Sequence, residues 1–362
     1  MTLPIKIPFG SIKPILHKLE PETAHGVTIK ALKYGLNPKQ DLVKDERLKQ
    51  TLWSLNFENP IGLSAGFDKN AEAVKGLFDI GFGAVEVGTV TPNAQQGNPR
   101  PRVFRDIETN AVINRMGFPN KGLRVFINNI DKYLSSNHKN KQVLGLNIGM
   151  NKEQTNPADD YCLLIDALAR YADYLTINIS SPNTPGLRNL QQRENLLPLI
   201  EKVQKTRKKF EKEKHTPLLI KLAPDLTDQE LSDIAETLME VKIDGVILSN
   251  TTLDRPEFLP ENFRSEMGGL SGHPLTEKST NVIRNFYKLT KGSIPIVGVG
   301  GVSSGQDAYD KICAGASLIQ LYSALIFQGP DLIADINNQL LALLDTDGYK
   351  NITEAIGSKN TL

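Results

Sequence analysis

Between residues 61 and 323 the chain repeats one pattern eight times: a short apolar run that ends in glycine, serine, asparagine or threonine. The runs are Ile61–Gly66, Ala84–Thr89, Val143–Gly149, Leu175–Ser181, Leu218–Pro224, Gly245–Thr251, Pro295–Gly301 and Ser317–Ser323. Amphipathic helical stretches lie between most of them, at Ala71–Phe78, Tyr161–Tyr171, Glu194–Phe210, Asp228–Glu240, Thr276–Leu289 and Gly305–Ala314. Strands that are apolar throughout must be covered on both faces, so the alternation predicts a parallel sheet flanked by helices. Eight such units over about 300 residues fit a closed α/β barrel, the (β/α)8 or TIM barrel, rather than an open doubly wound sheet. No G-x-G-x-x-G follows the first strand; the nearest case, G-V-G-G at 298–301, follows the seventh, which excludes a Rossmann reading.

Residues 1–45 stand outside this rhythm as a two-helix extension. Ile12, Ile15, Leu16 and Leu19 recur at helical spacing, Pro21 and Glu22 break and restart the chain, and a second helix runs to Tyr34, with Gly35 closing it. Lys13, Lys18, Lys30 and Lys33 sit beside the apolar residues, which suits helices lying on a membrane surface. A hairpin packed on the main domain fits the pattern equally well. The barrel is expected over 46–345, followed by a polar tail, 346–362, with no assignable role. No apolar run approaches the roughly 18 residues of a membrane span, and no secretory signal is seen. A net charge of +1 gives no basic surface for nucleic acid. Cys162 and Cys313 read as small buried hydrophobes, which fits a reducing compartment.

In a barrel the chemistry sits where the strands end. The densest strand end is Leu175–Arg188, L-T-I-N-I-S-S-P-N-T-P-G-L-R, which delivers Asn178, Ser180, Ser181, Asn183 and Thr184 without a charge. A plain turn would have a similar composition. Glycines 298, 300 and 301, with a helix starting near Ser304, predict a phosphate cradle. Lys221 lies inside the strand L-L-I-K-L-A-P, where its charge needs a partner: an anionic or electron-rich ring, a Schiff base, or a structural ion pair. Lys69 with Asn114, Asn178, Asn183 and Asn250 suits a clamp on a small planar anion. Asp68 is the one acidic or imidazole group at a strand end, and His17, His25, His138, His215 and His273 are scattered, so no metal is expected. A bound cofactor is then expected to carry the hard chemistry. The insertions Thr91–Asn120 and Thr252–Leu275 are expected as long loops covering the site.

The ordered motifs A-G-F-D-K, V-G-T-V-T-P, N-R-M-G-F, N-I-G, N-I-S-S-P-N-T-P-G-L-R, S-N-T-T, G-G-L-S-G, G-V-G-G and Y-S, from about Leu16 to Gln328, resemble the dihydroorotate dehydrogenases. They are most similar to the quinone-dependent, membrane-associated class 2. The resemblance implies FMN in the barrel with dihydroorotate against its ring. It implies FMN contacts at Ala65, Gly66, Phe67, Asp68, Lys69, Thr89 and Asn147, and at Asn178, Lys221, Ser249, Gly272, Gly301, Tyr322 and Ser323. Substrate contacts are implied at Lys69, Asn114, Arg115, Met116, Gly117 and Phe118, and at Asn178, Asn183, Asn250 and Thr251. Ser181 is implied as the base that removes the C5 proton, while a hydride leaves C6 for the flavin; class 1 enzymes typically use a cysteine and lack the extension.

The segment L-E-P-E-T-A-H resembles the two-helix domain that rests on the membrane and admits ubiquinone or menaquinone, with His25, Arg105 and Tyr322 lining the quinone tunnel. Ser249 stands where threonine is common, and Phe67 where leucine is common. Without a transit peptide or anchoring span, a peripheral protein on the cytoplasmic side of a bacterial cell membrane is expected. A serine is a poor base alone, so Thr184 is expected to orient a water for it, and the rate to rise with pH. The rival readings are a class 1 enzyme, a tRNA dihydrouridine synthase and a Schiff-base aldolase built on Lys221.

Overall fold

The structure, a computed structural model, describes residues 9–36, 42–136, 142–211 and 214–360. His138 and the outer parts of the two expected terminal segments, 1–8, 37–41 and 361–362, lie outside the described residues. Helices α1 (Phe9–Lys18) and α2 (Pro21–Lys33) open the chain. Glu20 caps α2 by accepting from the backbone N–H groups of Glu22 and Thr23, and Pro21 takes a first-turn position that needs no N–H. The proline therefore starts the second helix.

A hairpin follows, β1 (Gln50–Leu52) and β2 (Leu55–Phe57), then β3 (Ile61–Leu63), α3 (Val74–Phe78) and β4 (Ala84–Val90). Next come β5 (Val103–Asp106), β6 (Ala111–Asn114), α4 (Leu123–Ser135), β7 (Val143–Ile148), α5 (Pro157–Leu168) and β8 (Tyr174–Asn178). The chain continues through α6 (Arg193–Arg207), β9 (Leu218–Leu222), α7 (Asp228–Glu240), β10 (Gly245–Leu248), α8 (Glu261–Arg264) and β11 (Gly269–Gly272). It ends with α9 (Thr276–Thr290), β12 (Ile296–Val299), α10 (Gly305–Cys313), β13 (Leu318–Leu321), α11 (Ser323–Gln328) and α12 (Leu332–Asp347).

Strands β3, β4, β7, β8, β9, β10, β12 and β13 pair in parallel, in that order, and close into a barrel. Each of the eight predicted runs contributes one barrel strand, so the (β/α)8 expectation holds. Strand alternation assigns the two faces. In β8, Leu175 and Ile177 join the core beneath the helices, while Tyr174 joins a separate cluster with Phe57, Leu219, Ile247 and Val297. The hairpin caps this apolar end, and Trp53 donates its indole N–H to Asp244 O at 2.6 Å. Gly145 is required here, because a Cβ on it would run into the Tyr174 ring. One end of the barrel is thus filled with apolar side chains, and the polar ones collect at the carboxyl end.

Two expectations need correction. The insertions are not loose loops: β5, β6 and β11 pair across them into an antiparallel three-stranded sheet, with Leu270 opposite Ile113. The polar tail is not separate either. Helix α12 runs past the expected boundary to Asp347, Ile352 and Ala355 are fully buried, and Gly357 N and Lys359 N donate to Ile312 O and Cys313 O of α10. Cys313 is buried, but Cys162 is only partly so and accepts the Thr206 hydroxyl at 3.2 Å. Among the described residues no helix is long and apolar enough to cross a membrane.

Candidate active site

A cavity of about 470 Å3 extends from the carboxyl ends of the strands to α1 and α2. At the strand ends its wall contains Ala65, Gly66, Phe67, Lys69, Thr89 and Lys221, then Ser249, Gly272, Gly301, Tyr322 and Ser323. The expected substrate residues Asn114, Met116, Gly117 and Phe118 line it too, as do Asn178, Ser181, Asn183, Asn250 and Thr251. His25 and Arg105 line the part beside the N-terminal helices.

Three expected contact residues do not reach the wall, because their polar groups are committed elsewhere. The Asp68 carboxylate is buried and accepts backbone N–H groups from Asn70, Glu72 and Ala73, folding its own loop. Arg115 pairs with Glu266 at 2.7 Å and lies over the Phe104 ring. Asn147 is fully buried in the barrel, its amide engaged by Glu86, Thr89 and Asn178.

Those neighbours show how the site is oriented. Glu86, on β4 inside the barrel, is fully buried and accepts from Asn147 Nδ2 at 2.8 Å, Thr176 Oγ1 at 3.1 Å and Gln320 Nε2 at 3.0 Å. A carboxylate only accepts, so it fixes the Asn147 amide with its NH2 toward Glu86 and its oxygen toward the cavity. That oxygen accepts from Thr89 Oγ1 at 2.6 Å and Asn178 Nδ2 at 3.2 Å. Asn178 Oδ1 then accepts from Ser180 Oγ at 2.9 Å, and Ser180 Oγ accepts from Asn250 Nδ2 at 2.8 Å. One buried acid thereby sets the orientation of three asparagines. Sequence reasoning missed Glu86, although an acid in the middle of A-V-E-V-G-T-V carries the same signal as Lys221.

Asp225 was missed as well. It accepts from Arg188 at 2.8 Å, Lys278 at 2.6 Å, Leu253 N at 2.9 Å and the Thr252 hydroxyl. Burial alone would raise its pKa, but these donors outweigh it and hold the carboxyl below the usual range. Arg188 also donates to Ser180 O and Thr251 O, both at 2.9 Å, so the loop after β8 is pinned to the loop after β10.

Ser181 Oγ, on that pinned loop, accepts the Asn183 N–H at 3.2 Å. Asn183 donates to Asn114 O at 3.1 Å. Thr184 is buried and absent from the cavity wall, so the expected water-orienting role finds no geometric support. Lys221 is almost completely buried, with one hydrogen bond, to Ser64 Oγ at 3.1 Å; burial lowers its pKa and Glu86 opposes the shift. Lys69 donates to Gly66 O at 2.7 Å, and its pKa is drawn down to about 8 by burial, against the pull of Glu22 and Asp68.

The glycine-rich end forms a tight turn, but the start of α10 beside it is not free. Gly300 and Gly301 have φ of +112° and +70°, and a Cβ on Gly301 would collide with Thr276. The start of α10 is already occupied by an acid: Asp307 accepts from Ser303 N and Oγ at 2.9 and 2.8 Å, and its own N–H is capped by Ser304.

At the other end α2 is tied to the first insertion. Arg102 is buried and pairs with Glu22 through two donors, at 2.8 and 3.0 Å; it also holds Gln96 O and Asn98 O. Arg105 donates to His17 O at 2.6 Å at the end of α1. His25 donates to Phe67 O at 2.7 Å, and burial, with Lys69 nearby, lowers its pKa to about 3, which keeps the ring neutral.

A family model described as dihydroorotate dehydrogenase matches residues 47–344. The chain is 48% identical over 345 residues to the dihydroorotate dehydrogenase (quinone) of Rhodospirillum rubrum, covering 95% of this chain and 93% of that one. It is 47% identical over 353 residues to the mitochondrial dihydroorotate dehydrogenase (quinone) of Mus musculus, covering 96% and 89%. The chain belongs to the quinone-class dihydroorotate dehydrogenases. The crystal structure of the Eimeria tenella DHODH in complex with ferulenol superposes with a TM-score of 0.91 at 40% identity, covering 95% of this chain and 98% of that one. Both the family and its class agree with the motif resemblance, and the dihydrouridine synthase and aldolase readings fall away.

Proposed function

We propose that this chain oxidises dihydroorotate to orotate for pyrimidine biosynthesis, with FMN at the strand ends and a quinone as the final electron acceptor. The observation that carries this reading is the continuity of one cavity from Ser181 to α1 and α2. The wall suits a flavin phosphate and ring: glycines that admit no Cβ, a buried Lys221 with donors to spare, and Thr251 Oγ1, a buried hydroxyl with no partner. Gly272, Gly301, Tyr322 and Ser323 would hold the phosphate end, and Lys221, Ser249, Thr89 and Asn178 the ring. The chemistry FMN supplies when bound is acceptance of a hydride from substrate C6 and return of the electrons to a quinone.

The protein groups do the rest. Asn114, Asn183, Asn250 and Thr251 orient the planar ring of the substrate, and Lys69 meets its carboxylate. Ser181 removes the C5 proton, and the Asn183 N–H on its oxygen steadies the charge that forms there. The serine's own proton passes to a water of the cavity before its oxygen takes the C5 proton, so the charge the N–H steadies is negative and transient and Ser181 ends again as a hydroxyl. Quinone enters between α1 and α2, past Ile12, Leu16, Val27 and Leu36, toward neutral His25, Arg105 and Tyr322.

Exposed Ile15, Tyr34 and Leu36 rest the two helices on the cytoplasmic face of the cell membrane, and ubiquinone and menaquinone fit the apolar mouth equally. Residues 1–45 thus form the quinone-access segment, and the barrel carries the catalytic site. Anaerobic addition of dihydroorotate to the flavin-loaded protein should bleach its absorbance, and a short-chain quinone should restore it. A flavin that stays oxidised would contradict the reading.

A further inference from the structure

Lys311, on α10, is fully buried, and no carboxylate among the described residues touches its ammonium. Its three donors go to Thr276 O at 3.0 Å, Ser279 Oγ at 2.7 Å and Thr280 Oγ1 at 2.7 Å, all at the start of α9. Enclosing a cation among neutral groups is costly, and an aliphatic side chain would fill the space with less penalty. Burial draws its pKa down to about 7; Asp307 and Asp310 on its own helix oppose the shift, and Arg284 of α9 adds to it.

Two of these α9 residues reach onward to the glycine turn. Ser279 Oγ donates to Gly300 O at 2.9 Å, while the single proton of Thr276 Oγ1 is shared between Gly301 O and His273 O, both at 2.8 Å. Ser279 has a competing acceptor within its own helix, Thr276 O at 3.1 Å, but Lys311 donates to that carbonyl and to the serine oxygen itself. The lysine thereby frees the serine proton for Gly300. In a planar trans peptide the C=O and the following N–H point in opposite directions. A Gly300 carbonyl drawn back to α9 leaves the N–H of Gly301 pointing away from it, and Gly301 lines the cavity.

We propose that Lys311 is a positioning residue for the FMN phosphate: through Ser279 it holds the Gly300 carbonyl back and turns the Gly301 amide outward, and it places a positive charge behind that turn. The proposal rests on the flavin reading above. It also resolves the difficulty that Asp307 already fills the start of α10.

The test compares FMN with riboflavin, which has the same ring and no phosphate, on the full chain stripped of flavin and titrated by fluorescence. Lys311→Met should weaken FMN at least about tenfold and leave riboflavin affinity unchanged. In the unmodified protein the ratio of FMN to riboflavin affinity should fall from about pH 7 to about pH 9, above the phosphate's own ionisation near about 6. This arm needs no folded variant. In K311M the ratio should be flat over that range. Equal losses for the two flavins in K311M, or a ratio independent of pH in the unmodified protein, would overturn the inference. Failure of either flavin to bind the unmodified protein would instead overturn the flavin reading itself.

Discussion

At the strand ends the cavity wall is held by hydrogen bonds that run in series from Glu86 to Asn250, and by a loop that Arg188 and Asp225 pin in place. At α1 and α2 the wall is mostly apolar, with Ile12, Leu16, Val27 and Leu36 lining it and polar anchors at Glu22, His25 and Arg105. The first construction suits a small planar anion whose every polar edge must be matched, because a mismatched buried group costs about 1–3 kcal/mol. The second suits a long apolar molecule recognised by area alone. The difference teaches that one barrel can hold a rigid site and a permissive one by building them from separate segments. The Glu22–Arg102 ion pair is one of the joins between the two, beside His25 on Phe67 O and Arg105 on His17 O.

The largest effect expected on the rigid side comes from Ser181→Ala. Flavin should stay bound, and its reduction by dihydroorotate should slow by about 10²–10⁴-fold in stopped-flow absorbance. Near-normal reduction would remove Ser181 from the mechanism. Arg102→Ala breaks the ion-pair join, leaving Glu22 without its buried partner. The docking of α2 should lose about 3–5 kcal/mol, visible as rapid proteolysis of the first 36 residues. Because Arg102 also holds Asn98 O, and Asn98 holds Asn183 O, the dihydroorotate KM should rise as well. An unchanged KM would mean that the two ends are independent.

Glu86→Gln sharpens the comparison further. The amide can turn a donor toward Asn147 and free that asparagine to flip, so dihydroorotate binding should weaken about tenfold, with quinone KM unchanged. A matching rise in quinone KM would break the claim that this network serves one end only. The smallest effect is in pH dependence. Lys69 must be charged to meet the substrate carboxylate, and burial has lowered its pKa to about 8. The cationic form is lost as pH rises through that value, so kcat/KM for dihydroorotate should fall by a few-fold above about pH 8, while kcat should continue to rise as the base limb takes over.

The barrel was legible because each largely apolar run ends abruptly in small polar residues, and the amphipathic stretch Asp228–Glu240 matches α7 to the residue, where Thr227 and Glu230 form a capping box. The sheet of β5, β6 and β11 was not legible. Its strands have four residues each, and its third strand lies some 150 residues beyond its second, so no local pattern announces the pairing. The tail escaped for a related reason, since among its described residues only Ile352 and Ala355 are fully buried, with Tyr349 and Ile356 half-buried beside them in an otherwise polar segment. At the site, motifs located the wall but could not separate residues that touch a ligand from those that hold the touching residue. Asp68, Asn147 and Arg115 are absent from the cavity wall, and so is Glu86, which strand alternation alone could have placed inside the barrel.

The division of labour between the two ends is tested most directly by stopped-flow on a flavin-loaded chain lacking residues 1–36, with the two half-reactions followed separately. Reduction of the flavin by dihydroorotate should persist within about tenfold, the remaining loss reflecting Glu22 and its partner, and reoxidation by a long-chain quinone should disappear. Quinone reoxidation that survives at the full rate would contradict the assignment of α1 and α2 to that end of the cavity.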